Sequence, residues 1–100
     1  MSEQHVVRWY IPGRVIYIGW ANTVTIQELG AVSDQVGALM DEATSPIIIL
    51  NDARLVRHHP QHPLQVRHTM AFLDHPNMGF LTSVTGNAVM RFLATVVPQM

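Results

Sequence analysis

The sequence predicts one α/β domain: a mixed, mostly parallel sheet of about four strands with an N-terminal β-hairpin and about three helices, in the order β-β-α-β-α-β-α. Three observations carry this. Two β-branched and aromatic runs stand side by side at the amino end, in "HVVRWYIPGRVIYIGW". A long amphipathic segment follows them, and then the short isoleucine-rich run "PIIIL". Strand–helix–strand order implies parallel pairing with right-handed crossovers, and the hairpin adds one antiparallel strand.

Residues 5–11 and 14–20 form the hairpin, because Pro12-Gly13 suits the centre of a tight turn. The second strand is apolar on both faces, Val15 and Tyr17 against Ile16, Ile18 and Trp20, which predicts a central place. "TIQELGAVSDQVGALMDEA", residues 25–43, is the clearest helix. Thr25 and Glu28 match the capping box, each satisfying an amide left orphaned in the first turn. Ile26, Leu29, Val32, Val36, Leu39, Met40 and Ala43 make one stripe at helical spacing. Gly30 and Gly37 each cost about 1 kcal/mol against alanine, which close packing onto the sheet would explain.

"PIIILND" reads as a strand covered on both sides. Pro63 suits the first turn of a second helix, about 63–74, with Val66, Met70 and Leu73 inward. "MGFLTSV" is the fourth strand, and "TGN" leads into a third helix, about 88–97, capped by Asn87. Its stripe is Val89, Phe92, Leu93, Val96 and Val97.

One hundred residues make a single domain, 1–100, large enough for one core. Charged residues are 13%, about half the usual share, while hydrophobic residues reach 48%. That excludes disorder and leaves apolar surface for a partner or a second copy. Net charge is −1 with no lysine, which argues against nucleic acid. Without cysteine there is no disulfide, thiolate metal site or cysteine nucleophile. The amino end lacks a secretory pattern and "IIIL" is far short of a bilayer span, so the expectation is a cytoplasmic protein with no membrane span.

The hairpin, "GWANTVTIQELGAVSDQVGALMDEA", "PIIILNDARLV" and "FLDHPNMGFLTSVTGNAVMRFLATVV" together resemble the STAS superfamily of anti-sigma-factor antagonists, in particular its SpoIIAA-like branch. The likeness covers nearly the whole chain and lies in element order and apolar placement. It implies a non-enzymatic regulatory module that works by protein contact. Family domains usually continue into a further strand and helix beyond the third helix, so Met100 implies a short version or a truncated chain. A sheet edge left open would then await a partner. The best-known members carry a phosphorylatable serine at the start of the second helix. No Ser, Thr or Tyr occurs here between Asp52 and Thr69, which removes a hydroxyl phosphoswitch from that place.

Candidate site residues come from topology. Ligands of open α/β sheets bind beyond the carboxyl ends of the parallel strands. Three loops are expected there: Asn22 and Thr23; Asn51, Asp52 and Arg54; and Thr85, Gly86 and Asn87. Helix amino ends favour anions, and Arg91 adds a cation one turn into the third helix. STAS-like domains use this edge for partners or nucleotides. Caps and turns also account for these residue types.

The second constellation is "NDARLVRHHPQHPLQVRH", residues 51–68, with four of the six histidines. His58, His59 and His62 are candidate metal ligands, imidazole being a common zinc donor. Pro60 denies them helical i, i+4 spacing, and no carboxylate lies within the loop. His68 reads as a helix-flank residue, His75 as a helix-end residue meeting free carbonyls, and His5 has no evident partner. Ser83, His59 and Asp52 make a nucleophile–base–acid set on paper, without a nucleophile elbow. Asp41-Glu42 reads as solvated surface, and no cofactor is implied.

The leading functional expectation is therefore a homodimeric protein-interaction module. The alternative is a small-molecule or Sec14-like lipid-binding domain, with Trp9, Tyr10, Trp20, Met70 and Phe80 around an apolar pocket. A histidine-dependent metal protein is the third.

Overall fold

The computed structural model describes residues 4–85 and residue 98. Its elements are β1 (Val6–Ile11), β2 (Val15–Gly19), α1 (Ile26–Asp41), β3 (Ile47–Ala53), α2 (Pro63–Thr69), a 3-10 turn (Ala71–Asp74) and β4 (Met78–Thr85). The expected third helix over 88–97, with its cap Asn87, lies outside the described residues.

The hairpin closes as its sequence demands. The Arg14 amide donates to the Ile11 carbonyl at 3.0 Å across Pro12-Gly13. Gly13 takes φ +75°, the conformation that the third position of a type II turn requires. Strand order in the sheet is β1-β2-β3-β4, with β1 antiparallel to β2 and both other pairs parallel.

Order in space thus copies order along the chain. Crossovers of one hand that all step the same way along a sheet lie on one face. Ile16, Ile18, Ile47 and Ile49, all fully buried, meet Leu29, Val32, Val36 and Met40 of α1 on that face. Met70 and Phe72 join the same core. The protein is 21 Å through its thin dimension, the depth of one sheet and one helical layer.

The other face departs from expectation. Ile48 is 43% exposed and Leu50, Val15 and Tyr17 are half-buried, so β2 and β3 are covered on one side only among the described residues. Among the described residues, the apolar run "IIIL" therefore lies under one covering layer.

The expected helix over 63–74 is broken in two. Met70 leaves the helical region at φ −82°, ψ 60°, and the 3-10 turn follows. In an unbroken helix, residues 70 and 72 would point about 200° apart. The break lets Met70 and Phe72 both enter the core, at 7% and 3% exposure. Val66 and Leu73 pack at its margin, as their spacing predicts.

Two glycines change their meaning. Among the described residues a Cβ on Gly30 would meet only Thr69 of α2, and one on Gly37 would meet nothing, so neither serves contact with the sheet. The close approach occurs at Gly79, where a Cβ would lie 2.9 Å from the Ile47 carbonyl oxygen.

Candidate functional site

Two of the three expected loops are tied together beyond the carboxyl ends of β2 and β3. The Arg57 and His58 amides donate to the Asn22 carbonyl at 2.8 and 3.1 Å, and the Val24 amide donates to His58 at 2.8 Å. Thr23 and His58 form a parallel bridge, so the loops run on as a short extension of the sheet. Thr85 ends β4 opposite Ala53. Gly86, Asn87 and Arg91 lie outside the described residues.

Asn51 and Asp52 do not act together, because successive strand residues point to opposite faces. Asn51 turns inward with Ile47, Ile49 and Ala53 and is 9% exposed. Its Oδ1 accepts the indole N–H of Trp20 at 2.5 Å, and its Nδ2 donates to Ser83 Oγ at 3.4 Å. This string forms one wall of a cavity of about 80 Å³. The rest of the wall comes from Val24 and Leu29 at the start of α1, Val66 and Met70, and the loop residues Val56, His59 and Pro60. Ala53, Leu81 and Pro98 are the other described residues of the wall. The His59 Nδ1 lies 3.0 Å from the Pro60 carbonyl. A carbonyl only accepts, so Nδ1 is the donor in this contact.

Asp52 turns to the uncovered face. Arg54 grips its carboxylate through Nε and Nη2, both at 2.9 Å, and the Tyr17 hydroxyl donates at 2.9 Å. The Arg54 hydrogen bonds hold the Asp52 carboxyl down at about 2, while Tyr17, donating to an anion, is raised above its usual value. Arg8 stacks 4.9 Å from the Tyr17 ring centroid. The ring lies across Gly19, where a Cβ would sit 2.8 Å from it. Around this polar corner the face is apolar: Val6, Tyr10, Ile48, Phe80 and Val84 are each more than 40% exposed.

The histidines separate. His58 is exposed and enters the loop bridge through its backbone. His59 lines the cavity, and His62 stands at the amino end of α2 without a side-chain cap bond. Among the described residues no three His, Cys, Asp or Glu side chains gather as a metal would need. His68 is exposed on the flank of α2. Ser83 and His59 share the cavity, but Asp52 faces away from it.

His75 stands at a helix end as expected, closing the 3-10 turn with its amide on the Phe72 carbonyl at 3.1 Å, while its ring binds elsewhere. Its Nδ1 accepts the Asn77 amide at 3.0 Å, and Nε2 faces Asp41 Oδ1 at 2.7 Å. The carbonyls of Met40, in the last turn of α1, and of Ala43 just beyond it both accept from Asn77 Nδ2 at 3.0 Å. Asp41 is thus a partner and not merely solvated.

His5 has partners that lie far off in sequence. Its Nδ1 accepts the Ala21 amide at 2.9 Å, its ring stands edge-on to Trp20, and Nε2 lies 3.4 Å from Glu28. That Glu28 also closes the capping box with Thr25, whose backbone N–H chiefly holds the Glu28 carboxyl below its ordinary pKa. Of the five residues expected around an apolar pocket, Trp20 and Met70 line it. Trp9 packs against the core, while Tyr10 and Phe80 lie on the uncovered face. The string Trp20–Asn51–Ser83 went unread, although the alternation of Asn51 with Ile47 and Ile49 marks it as inward. Comparison with protein-family models, curated proteins and solved structures returned no match.

Proposed function

We propose that the chain is a non-enzymatic regulatory interaction module resembling the anti-sigma-factor antagonists of the STAS superfamily, and that it acts as a homodimer. The observation that supports this is the uncovered face of the sheet. Phe80 at 63% and Tyr10 at 57% exposure are large costs to leave in water. The charged side chains described on it are engaged within the chain: Arg8 lies over Tyr17, and Asp52 is paired with Arg54.

Size sets the expected strength. Four strands spaced ~4.8 Å apart give a face on the order of 400 Å² in projection. Stacked on its own copy, such a face belongs at the small end of specific interfaces, about 1,200 Å² in total. A dimer exchanging in the micromolar range is the outcome, able to give up one copy for another protein. No hydroxyl stands where the best-known relatives are phosphorylated, so control falls to concentration and competition.

Sedimentation equilibrium between 10 and ~500 µM tests this. The wild type shifts from monomer to dimer, while Ile48→Asp with Phe80→Asp stays monomeric with unchanged far-UV dichroism. A wild type that remains monomeric at the highest concentration ends this reading.

A further inference from the structure

Strand register sorts the uncovered face into three rows. Ile11, Val15, Ile48 and Phe80 stand opposite one another across the four strands, at the end nearest the Pro12-Gly13 turn. The irregularity in β1 between Trp9 and Ile11 sets the exposed Tyr10 beside them. Arg8, Tyr17, Leu50 and Thr82 make the middle row. Val6, Gly19, Asp52 and Val84 make the last, with Arg54 paired to Asp52 at its edge. The apolar row and the ion pair therefore lie at opposite ends of the strands.

Given the homodimer, on which this inference rests, the rows decide how two copies meet. A face stacked on its own copy is related to it by a two-fold axis lying in the interface. An axis running across the strands through the middle row would set each Asp52 down on the partner's Ile48. The carboxylate would then be sealed from water against an isoleucine, a costly desolvation with no new partner. Sliding the copies until only the apolar rows overlap avoids that cost. It covers only about one-third of the face, however, too little for a specific interface.

An axis along the strands, between β2 and β3, meets both demands. Each row then lies on the same row of the partner, Ile11 over the partner's Phe80 and Val15 over the partner's Ile48. Arg8 faces the partner's Thr82, whose hydroxyl can accept from a guanidinium. Both Asp52–Arg54 pairs fall at one rim, where the Arg54 side chain, 65% exposed, stays in water. Aligned sheets cross at about 30°, which places the axis within about 15° of the strand direction. From this we infer that the copies stack with β2, β3 and β4 pointing the same way in both, and with β1 over the partner's β4.

Cross-linking reads this directly. The chain has no cysteine, so a single substitution supplies a single thiol. Facing sheets lie ~10 Å apart, beyond the reach of a disulfide, so a short bis-maleimide joins the thiols. Arg8→Cys and Thr82→Cys are mixed at ~500 µM, and the products are told apart by mass. Like thiols lie about 14 Å apart across the sheet, three strand spacings, whereas unlike thiols face each other. The mixed product is expected to exceed either self-linked one at least about tenfold, because only its linkage is intramolecular within the dimer. Val6→Cys with Val84→Cys, in the last row, is expected to behave alike, and serves if either first variant weakens the dimer. Far-UV dichroism and sedimentation check that the variants fold and associate. Self-linked products in equal or greater yield overturn the inference, and so does a sedimenting dimer that gives no mixed product. Those two results leave the homodimer standing, while a wild type that stays monomeric removes both.

Discussion

The two faces of one sheet are made from the same strands, yet they obey different rules. On the inward face Ile16, Ile18, Ile47 and Ile49 are fully buried under α1. On the other face Ile48 and Phe80, in the same strands or the next, stand 43% and 63% exposed. Composition hardly differs between them, so composition does not decide burial. Topology does: crossovers that step one way along the sheet deliver their helices to one side.

Matched substitutions test that contrast most sharply. Ile49→Ala opens a cavity among fully buried neighbours and should cost about 2–5 kcal/mol, read by urea denaturation of the monomer at low concentration. Ile48→Ala, one residue away, should cost less than about 1 kcal/mol, because little of its side chain leaves water on folding. Equal losses would mean that the second face is covered in solution.

The next pair sets polar neighbours against each other. Asn51→Ala strands the buried indole N–H of Trp20, and should cost about 1–3 kcal/mol by the same measurement. Asp52→Ala removes a partner from Tyr17 and Arg54, both of which reach water, so its cost should stay below about 1 kcal/mol. A reversed order would show that the uncovered face carries more of the stability than its exposure allows.

The smallest effect is in acid. The folded Asp52 carboxyl sits at about 2, below its ordinary 3.8, so its contribution is present above the ordinary value. It is lost as pH falls from about 4 through about 2. Asp74 and Glu28 are lowered in the same direction, so the difference between wild type and Asp52→Asn isolates this one group. On the order of 1 kcal/mol should disappear from that difference between pH 6 and pH 2.5, allowing for solvent around the largely exposed Arg54.

What was legible in the residues was local. The capping box at Thr25 and Glu28 and the Pro12-Gly13 turn are as the side chains dictate, because each is a short-range hydrogen bond or a single dihedral preference. The four strands fall within a residue of their expected limits. What escaped was relational. No periodicity says whether a second layer covers "IIIL". The split at Met70 depends on a core that must receive both Met70 and Phe72. Asn51 and Asp52 looked like one polar pair at a strand end, and the pleat sends them to different sides. His5 met Ala21 and Glu28 only because the hairpin folds back. In the third loop, Gly86, Asn87 and Arg91 lie outside the described residues.

The strand order also has a kinetic consequence. Since every neighbour in the sheet is the next strand along the chain, each pairing closes only the loop or helix between them. No strand must wait for a distant one to arrive, so the entropy lost in loop closure is spread over short steps. The hairpin can form first, β3 can add through α1, and β4 can add last. Assembly in that direction matches the order in which a ribosome releases the chain.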